Sequence, residues 1–264
     1  MTCVSPLRKK VIVKDAFGNN IDRVFDFSCG KCVFCKKKKM YDLTTRLMIE
    51  KKVSKYSYFV TLTYSDENLN LNDNGTPELS VRDVQLFFKR LRKKFKVRYY
   101  AIGEYGTVTL RPHYHIILFS DKEVNYLLIE ELWKKGNINV GYVSIASIKY
   151  VAKYHTVVNK NDSGVKKQFA LYSRRPGIGS FYVKQSNIDW HQSDIDRNWT
   201  VINGEKRYLP QYLLKGLYSI DQRMNNYLKN QKEIERNSNH FESNFLQIVS
   251  REENSLKKLS KNKL

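Results

Sequence analysis

The chain has 264 residues, enough for one catalytic domain with appendages or two small domains, and too few for a catalytic core plus a separate cofactor domain. Its 47 Lys and Arg against 26 Asp and Glu leave a formal charge of +21, which points to a polyanionic partner, nucleic acid first and a membrane surface second. No run is long and apolar enough for a transmembrane helix and MTCVSPLRKK lacks a signal-peptide core, so membrane-spanning classes are excluded and a soluble, cytosolic protein is expected.

Residues 9–27 contain two β-prone stretches around Gly18-Asn19-Asn20, which predicts a hairpin. Met40, Leu43, Leu47 and Met48 then recur at helical spacing among Lys and Arg, predicting a basic amphipathic helix over 36–54. YSYFVTLTYS reads as a buried strand at 57–64, followed by a loop. Ser80 stands where an N-cap belongs, with Asp83 three residues on, so a helix is expected over 81–95. Strands at 97–105 and 113–119, a helix at 123–135, a strand at 138–145 and a helix at 147–158 complete the pattern. The order strand, helix, strand, strand, helix, strand, helix matches a ferredoxin-like split βαβ unit with an extra helix. The predicted class is therefore α+β, with a central antiparallel sheet, helices on one face, and the other face open for a ligand. Beyond Phe169 the pattern weakens: SRRPGIGSF reads as a loop, PQYLLKGLY as a short helix, and the charged tail as helix fraying into disorder. Three regions follow: an N-terminal hairpin, cysteine cluster and basic helix (1–54), a core (55–200) and a basic helical extension (201–264).

His113 and His115 flank Tyr114 in a predicted strand, so alternation points both imidazoles to one face, a geometry suited to a divalent metal. Glu104, in the preceding strand, can be brought beside them by antiparallel pairing and is the candidate third ligand. Tyr150 and Tyr154 share one face of a predicted helix, with Lys153 between them. Taken singly, a His-x-His is an ordinary half-buried pair and YVAKY an ordinary core stripe; the combination, in this order along a split βαβ pattern, carries the functional reading.

That combination resembles a known family. GEYG at 103–106, RPHYHIILF at 111–119, YVAKY at 150–154 and FVTLTY at 59–64 look like the motif set of HUH rolling-circle replication initiators. The likeness is greatest to initiators of small single-stranded DNA bacteriophages, the microviruses and especially their gokushovirus branch, in which CGKCVFC (29–35) and SRRPGIG (173–179) also look like recurrent stretches. The resemblance implies an HUH endonuclease fold. It also implies Mg2+ or Mn2+ held by His113, His115 and Glu104, with Tyr150 and Tyr154 as nucleophiles and Lys153 as electrostatic helper. Attack on single-stranded DNA at the phage origin would leave a 5′-phosphotyrosine and a 3′-hydroxyl primer. Host helicase and polymerase would be the partners, in the bacterial cytoplasm.

Cys29, Cys32 and Cys35 are spaced Cys-x-x-Cys-x-x-Cys, and folding the hairpin returns them to the level of Cys3. Four thiolates there suit structural Zn2+; reduced unligated thiols and an iron-sulfur cluster are the alternatives. Lys36–Lys39, KRLRKKFK at 89–96, and Lys166, Lys167, Arg174 and Arg175 are the densest basic stretches. With 18 Tyr and 13 Phe in the chain, some of them are expected to line a single-stranded DNA path. The segment around Pro176 either clamps a phosphate backbone through exposed amides or is an ordinary surface loop. Three other functions compete. A histidine-triad nucleotide hydrolase needs a third His where Ile117 stands. A non-enzymatic, basic, zinc-containing nucleic-acid-binding protein would make the histidines and tyrosines structural. Within the HUH class a plasmid initiator or transposase has the same parts, whereas a relaxase places its tyrosine first.

Overall fold

A computed structural model describes residues 3–14, 18–106, 108–153, 165–237 and 253–254. Strands β1 (Leu7–Lys14) and β2 (Asn20–Phe27) form the expected hairpin, and helix α1 (Val33–Val53) follows it. Next come β3 (Tyr56–Thr63), α2 (Val81–Arg92), β4 (Val97–Tyr105), β5 (Pro112–Ser120), α3 (Tyr126–Trp133), β6 (Ile138–Tyr142), α4 (Ile145–Ala152) and β7 (Phe169–Tyr172). The central sheet has the order β6-β3-β5-β4-β7 and every neighbouring pair is antiparallel. Because β5 lies between β3 and β4, and β3 between β5 and β6, α2 and α3 each cross a strand. This is the split βαβ arrangement the element order predicts.

Side-chain alternation along β5 sorts the two faces. Tyr114, Ile116 and Leu118 face α2 and α3, where Val84, Phe87, Phe88 and Leu91 supply a stripe at helical spacing and Ile129, Leu132 and Trp133 complete the core. Helix α2 starts where capping requires it, with Ser80 Oγ accepting the Asp83 amide at 3.2 Å. Ile117 and Phe119 point the other way, and this face is not open as expected. Leu43, Leu47 and Met48 of α1 and Ile148, Val151 and Ala152 of α4 cover it, together with Leu213 and Leu217 of the helix at Gln211–Leu217. The apolar stripe of a basic-looking helix needs a surface to bury, and this face provides one. The second core ends at Ile102 and Ile117, and beyond it the face carries Glu104, His113 and His115.

Several boundaries differ from expectation. Strand β6 stops at Tyr142 because Ser144 caps α4, its Oγ accepting the Ser147 amide at 3.1 Å. The end of the helix predicted to 158, including Tyr154, lies outside the described residues. Elements absent from the sequence reading are the edge strand β7, helix α5 (Gln185–Gln192) and a hairpin of β8 (Trp199–Ile202) and β9 (Glu205–Tyr208). That hairpin turns through Asn203 and Gly204, both at positive φ, 52° and 80°. Helix α6 (Gln211–Leu217) matches the expected short helix, and α7 (Ile220–Asn237) leads into the tail, whose predicted disorder lies outside the described residues. Among the described residues no helix is long and apolar enough to cross a membrane.

The SRRPGIG segment is a strap rather than a backbone clamp. Arg98 donates to the carbonyls of Pro176 and Gly177 at 2.8 Å each, and Arg46 Nε to that of Ile178 at 2.8 Å. The Gly179 amide donates to Glu50 Oε2 at 2.6 Å and the Gly177 amide to Tyr212 Oη at 3.0 Å. Glu50, only 1% exposed, is also ion-paired with Arg98. With these amides and carbonyls consumed internally, the segment offers solvent its Arg174 and Arg175 side chains instead.

Candidate active site

Register assembles the candidate site. On β5, His113 stands opposite Glu104 of β4 and Thr63 of β3, and His115 opposite Ile102 and Thr61. The imidazoles lie nearly parallel, 7° apart in plane, with centroids separated by 6.5 Å. Tyr114 between them points into the helical core. Its hydroxyl accepts the Ser80 amide at 2.8 Å and meets Tyr64 Oη at 2.9 Å, which locks the register of both histidines.

Each ring is fixed by its Nδ1. That of His113 is 2.7 Å from the Arg111 carbonyl, an acceptor, so Nδ1 carries the proton and Nε2 the lone pair. That of His115 is 3.1 Å from Thr61 Oγ1, while its Nε2 lies 3.3 Å from Glu104 Oε1. Phe59 stacks on the His115 ring at 5.7 Å, and Tyr150 meets it edge-on at 5.1 Å. Gly106, the last residue of GEYG, closes the connection by donating to the Arg111 carbonyl at 2.9 Å; a Cβ here would lie 3.2 Å from His113 Cε1. Thr61, Phe59, Arg111 and Gly106 thus orient the site, although the sequence reading assigned them no such role.

Tyr150 Oη donates a hydrogen bond to Glu104 Oε1, the oxygen that faces His115 Nε2. Burial first, then this bond, push the phenol well above its ordinary pKa and hold it protonated. Lys153 follows the last turn of α4, one turn beyond Tyr150, and is half-buried. The structure therefore brings His113, His115, Glu104 and Tyr150 together on one end of one sheet face; Tyr154 is not described. Two imidazole Nε2 atoms and a carboxylate are donors that suit a divalent cation, with hydrogen-bond partners already on both Nδ1 atoms to hold the rings. The set is open, and among the described residues only the four cysteines gather three or more such donor atoms within 4.8 Å.

Those thiols converge as the hairpin predicts. Cys3 Sγ is 3.8 Å from Cys32 Sγ and Cys29 Sγ is 3.9 Å from Cys35 Sγ. Amides of Lys31 and Cys32 donate to Cys29 Sγ at 3.4 and 3.3 Å, pulling its pKa down to about 6, and the Cys29 amide donates to Cys3 Sγ at 3.3 Å. The four cysteines could hold a metal ion. Sulfurs packed this closely surround a single ion and leave no space for an iron-sulfur cluster.

Residues 57–161 match the model of the replication-associated protein ORF2 family. The chain carries a gokushovirus-like replication-associated domain. This replication-associated chain is 28% identical to Replication-associated protein VP4 of Bdellovibrio phage phiMH2K, over 71% of its own length and 66% of that protein. It is 35% identical to Replication-associated protein ORF2 of Spiroplasma virus 4, over 63% of its length and 59% of that protein. Against Replication-associated protein ORF4 of Chlamydia phage 1 the identity is 25%, over 75% of its length and 55% of that protein. The matched part thus spans between 55% and 66% of these relatives. The recognition made from the motifs holds, and the matched family segment contains His113, His115, Glu104 and Tyr150.

Proposed function

We propose that the protein initiates rolling-circle replication of a small phage genome by nicking single-stranded DNA at the origin. The observation that carries this reading is the meeting of Tyr150 Oη and His115 Nε2 on one Glu104 oxygen, on the sheet face that also bears His113. His113, His115 and Glu104 would hold Mg2+ or Mn2+, which when bound supplies Lewis-acid polarisation of the phosphodiester. Tyr150 makes the first attack. Its oxygen bonds to phosphorus, its proton passes toward Glu104, and the P–O3′ bond breaks. The departing 3′ oxygen takes up a proton and becomes a primer hydroxyl, while the 5′-phosphotyrosine keeps the bond energy for rejoining. Lys153 supplies positive charge beside the reacting phosphate, and Tyr154 serves the second cleavage. Host helicase and polymerase in the bacterial cytoplasm take over the opened strand. Incubated with single-stranded origin DNA and Mn2+, the protein is expected to form an adduct that survives denaturing electrophoresis. An adduct that persists in the Tyr150→Phe/Tyr154→Phe double variant would overturn this assignment.

Cys3, Cys29, Cys32 and Cys35 hold structural zinc in this reading. A tetrahedral site with Zn–S bonds of about 2.3 Å has sulfur-sulfur edges of about 3.8 Å, which the separations of 3.8 and 3.9 Å match. Purified protein should contain about one zinc per chain, as a four-thiolate site requires, and Cys32→Ser should lose it. Elemental analysis that finds the zinc content unchanged by Cys32→Ser would exclude the site.

A further inference from the structure

Three basic stretches far apart in sequence converge at the end of the sheet remote from His113. They line a cavity of about 850 Å³ whose wall includes Lys55, Arg92, Phe95, Lys96, Arg175 and Phe181. Lys55 sits between α1 and β3, the 92–96 segment joins α2 to β4, and Arg175 and Phe181 flank the strap. The strap's internal bonds hold Arg175 in place. Arg98 also faces the cavity, but it is occupied by Glu50 and the strap carbonyls. None of Lys55, Arg92, Lys96 and Arg175 forms an ion pair with a described residue. Lys55 and Arg92 lie over the rings of Tyr56 and Tyr99 at 5.4 and 5.1 Å. Asp121 is the one acidic side chain on the wall besides Glu50. Four cations gathered round one cavity repel each other until an anion enters, and Phe181, 52% exposed, adds an apolar ring beside them. Positive charge interleaved with exposed aromatic rings is the chemistry of a single-stranded nucleic-acid groove.

We propose that this cavity grips a single-stranded DNA segment, with a base against Phe95 and Phe181 and phosphates on the four cations. Ser120, on the cavity wall, lies seven residues along β5 from His113, which places the grip about 24 Å from the candidate metal ligands at ~3.4 Å per residue. The inference rests on the nicking reading only for which strand is held.

Binding of the full chain to fluorescent oligo(dT) of 40 nucleotides, measured across a salt series, tests it. Lys55→Ala/Lys96→Ala/Arg175→Ala should weaken binding by about tenfold or more and lower the salt slope by roughly 2, about 0.7 per lost phosphate contact. Phe181→Ala should weaken binding by about fivefold or more with the slope unchanged, and Phe181→Tyr should restore it, because stacking needs only the ring. The exposed triple variant Lys9→Ala/Lys10→Ala/Lys184→Ala is the control for general charge. Equal loss in the control and cavity triples, or wild-type binding by Phe181→Ala, would overturn the inference. The nicking reading fails separately. Absence of the tyrosine adduct with the cavity effects intact leaves the grip standing, whereas an adduct with dT binding insensitive to the cavity changes removes it.

Discussion

Glu104→Gln is expected to slow covalent adduct formation by about 10³-fold or more, equivalent to about 4 kcal/mol, while leaving oligonucleotide binding within about twofold of wild type. The substitution keeps the shape and an acceptor oxygen for Tyr150, so the fold and the tyrosine's position should survive. What is lost is the negative charge, which both the cation held with His113 and His115 and the departing phenolic proton require. Binding is carried instead by basic side chains outside this end of the sheet. A rapid-quench time course of adduct formation, run beside an equilibrium binding curve, separates the two quantities. An adduct rate within about tenfold of wild type would remove Glu104 from the chemistry.

Glu50→Ala is expected to cost about 3–5 kcal/mol of stability, because it strands the Arg98 guanidinium and leaves the Gly179 amide without its acceptor. For a chain of this size that corresponds to a fall in Tm of roughly 6–20 °C. The loss should be cooperative, since Arg98 also holds the carbonyls of Pro176 and Gly177. Replacing both charges at once, as Glu50→Leu/Arg98→Met, should recover much of the deficit because no buried charge is left alone. A thermal melt of Glu50→Ala within about 2 °C of wild type would contradict the strap's role.

The sheet was largely legible from the sequence because its signals are local. The bounds 97–105 for β4 coincide with the observed strand, and the Ser80 cap fixes the start of α2. The placement of α1 was not legible: Leu43, Leu47 and Met48 declare an apolar stripe but not which sheet face will receive it, so the second face was read as open. Strand β7 has four residues and depends on pairing with β4, a contact no local pattern encodes. The Asn203-Gly204 turn, in contrast, carried the usual hairpin signal and was readable. In the candidate site, alternation and strand pairing suffice to bring Glu104 to the histidines. Thr61 acts from the neighbouring strand and Arg111 through its backbone carbonyl, a group that every residue has, so neither stood out.

Helix α1 begins immediately after Cys32 and reaches the strap through Glu50 near its other end. At ~1.5 Å per residue its 21 residues measure about 32 Å. It is therefore a ruler fixed at both ends, its middle lying on the sheet face beside the histidines. A residue inserted or deleted within it would rotate one anchor by about 100° relative to the other, so the spacing between the cysteine knot and Glu50 is a mechanical constraint on the whole molecule.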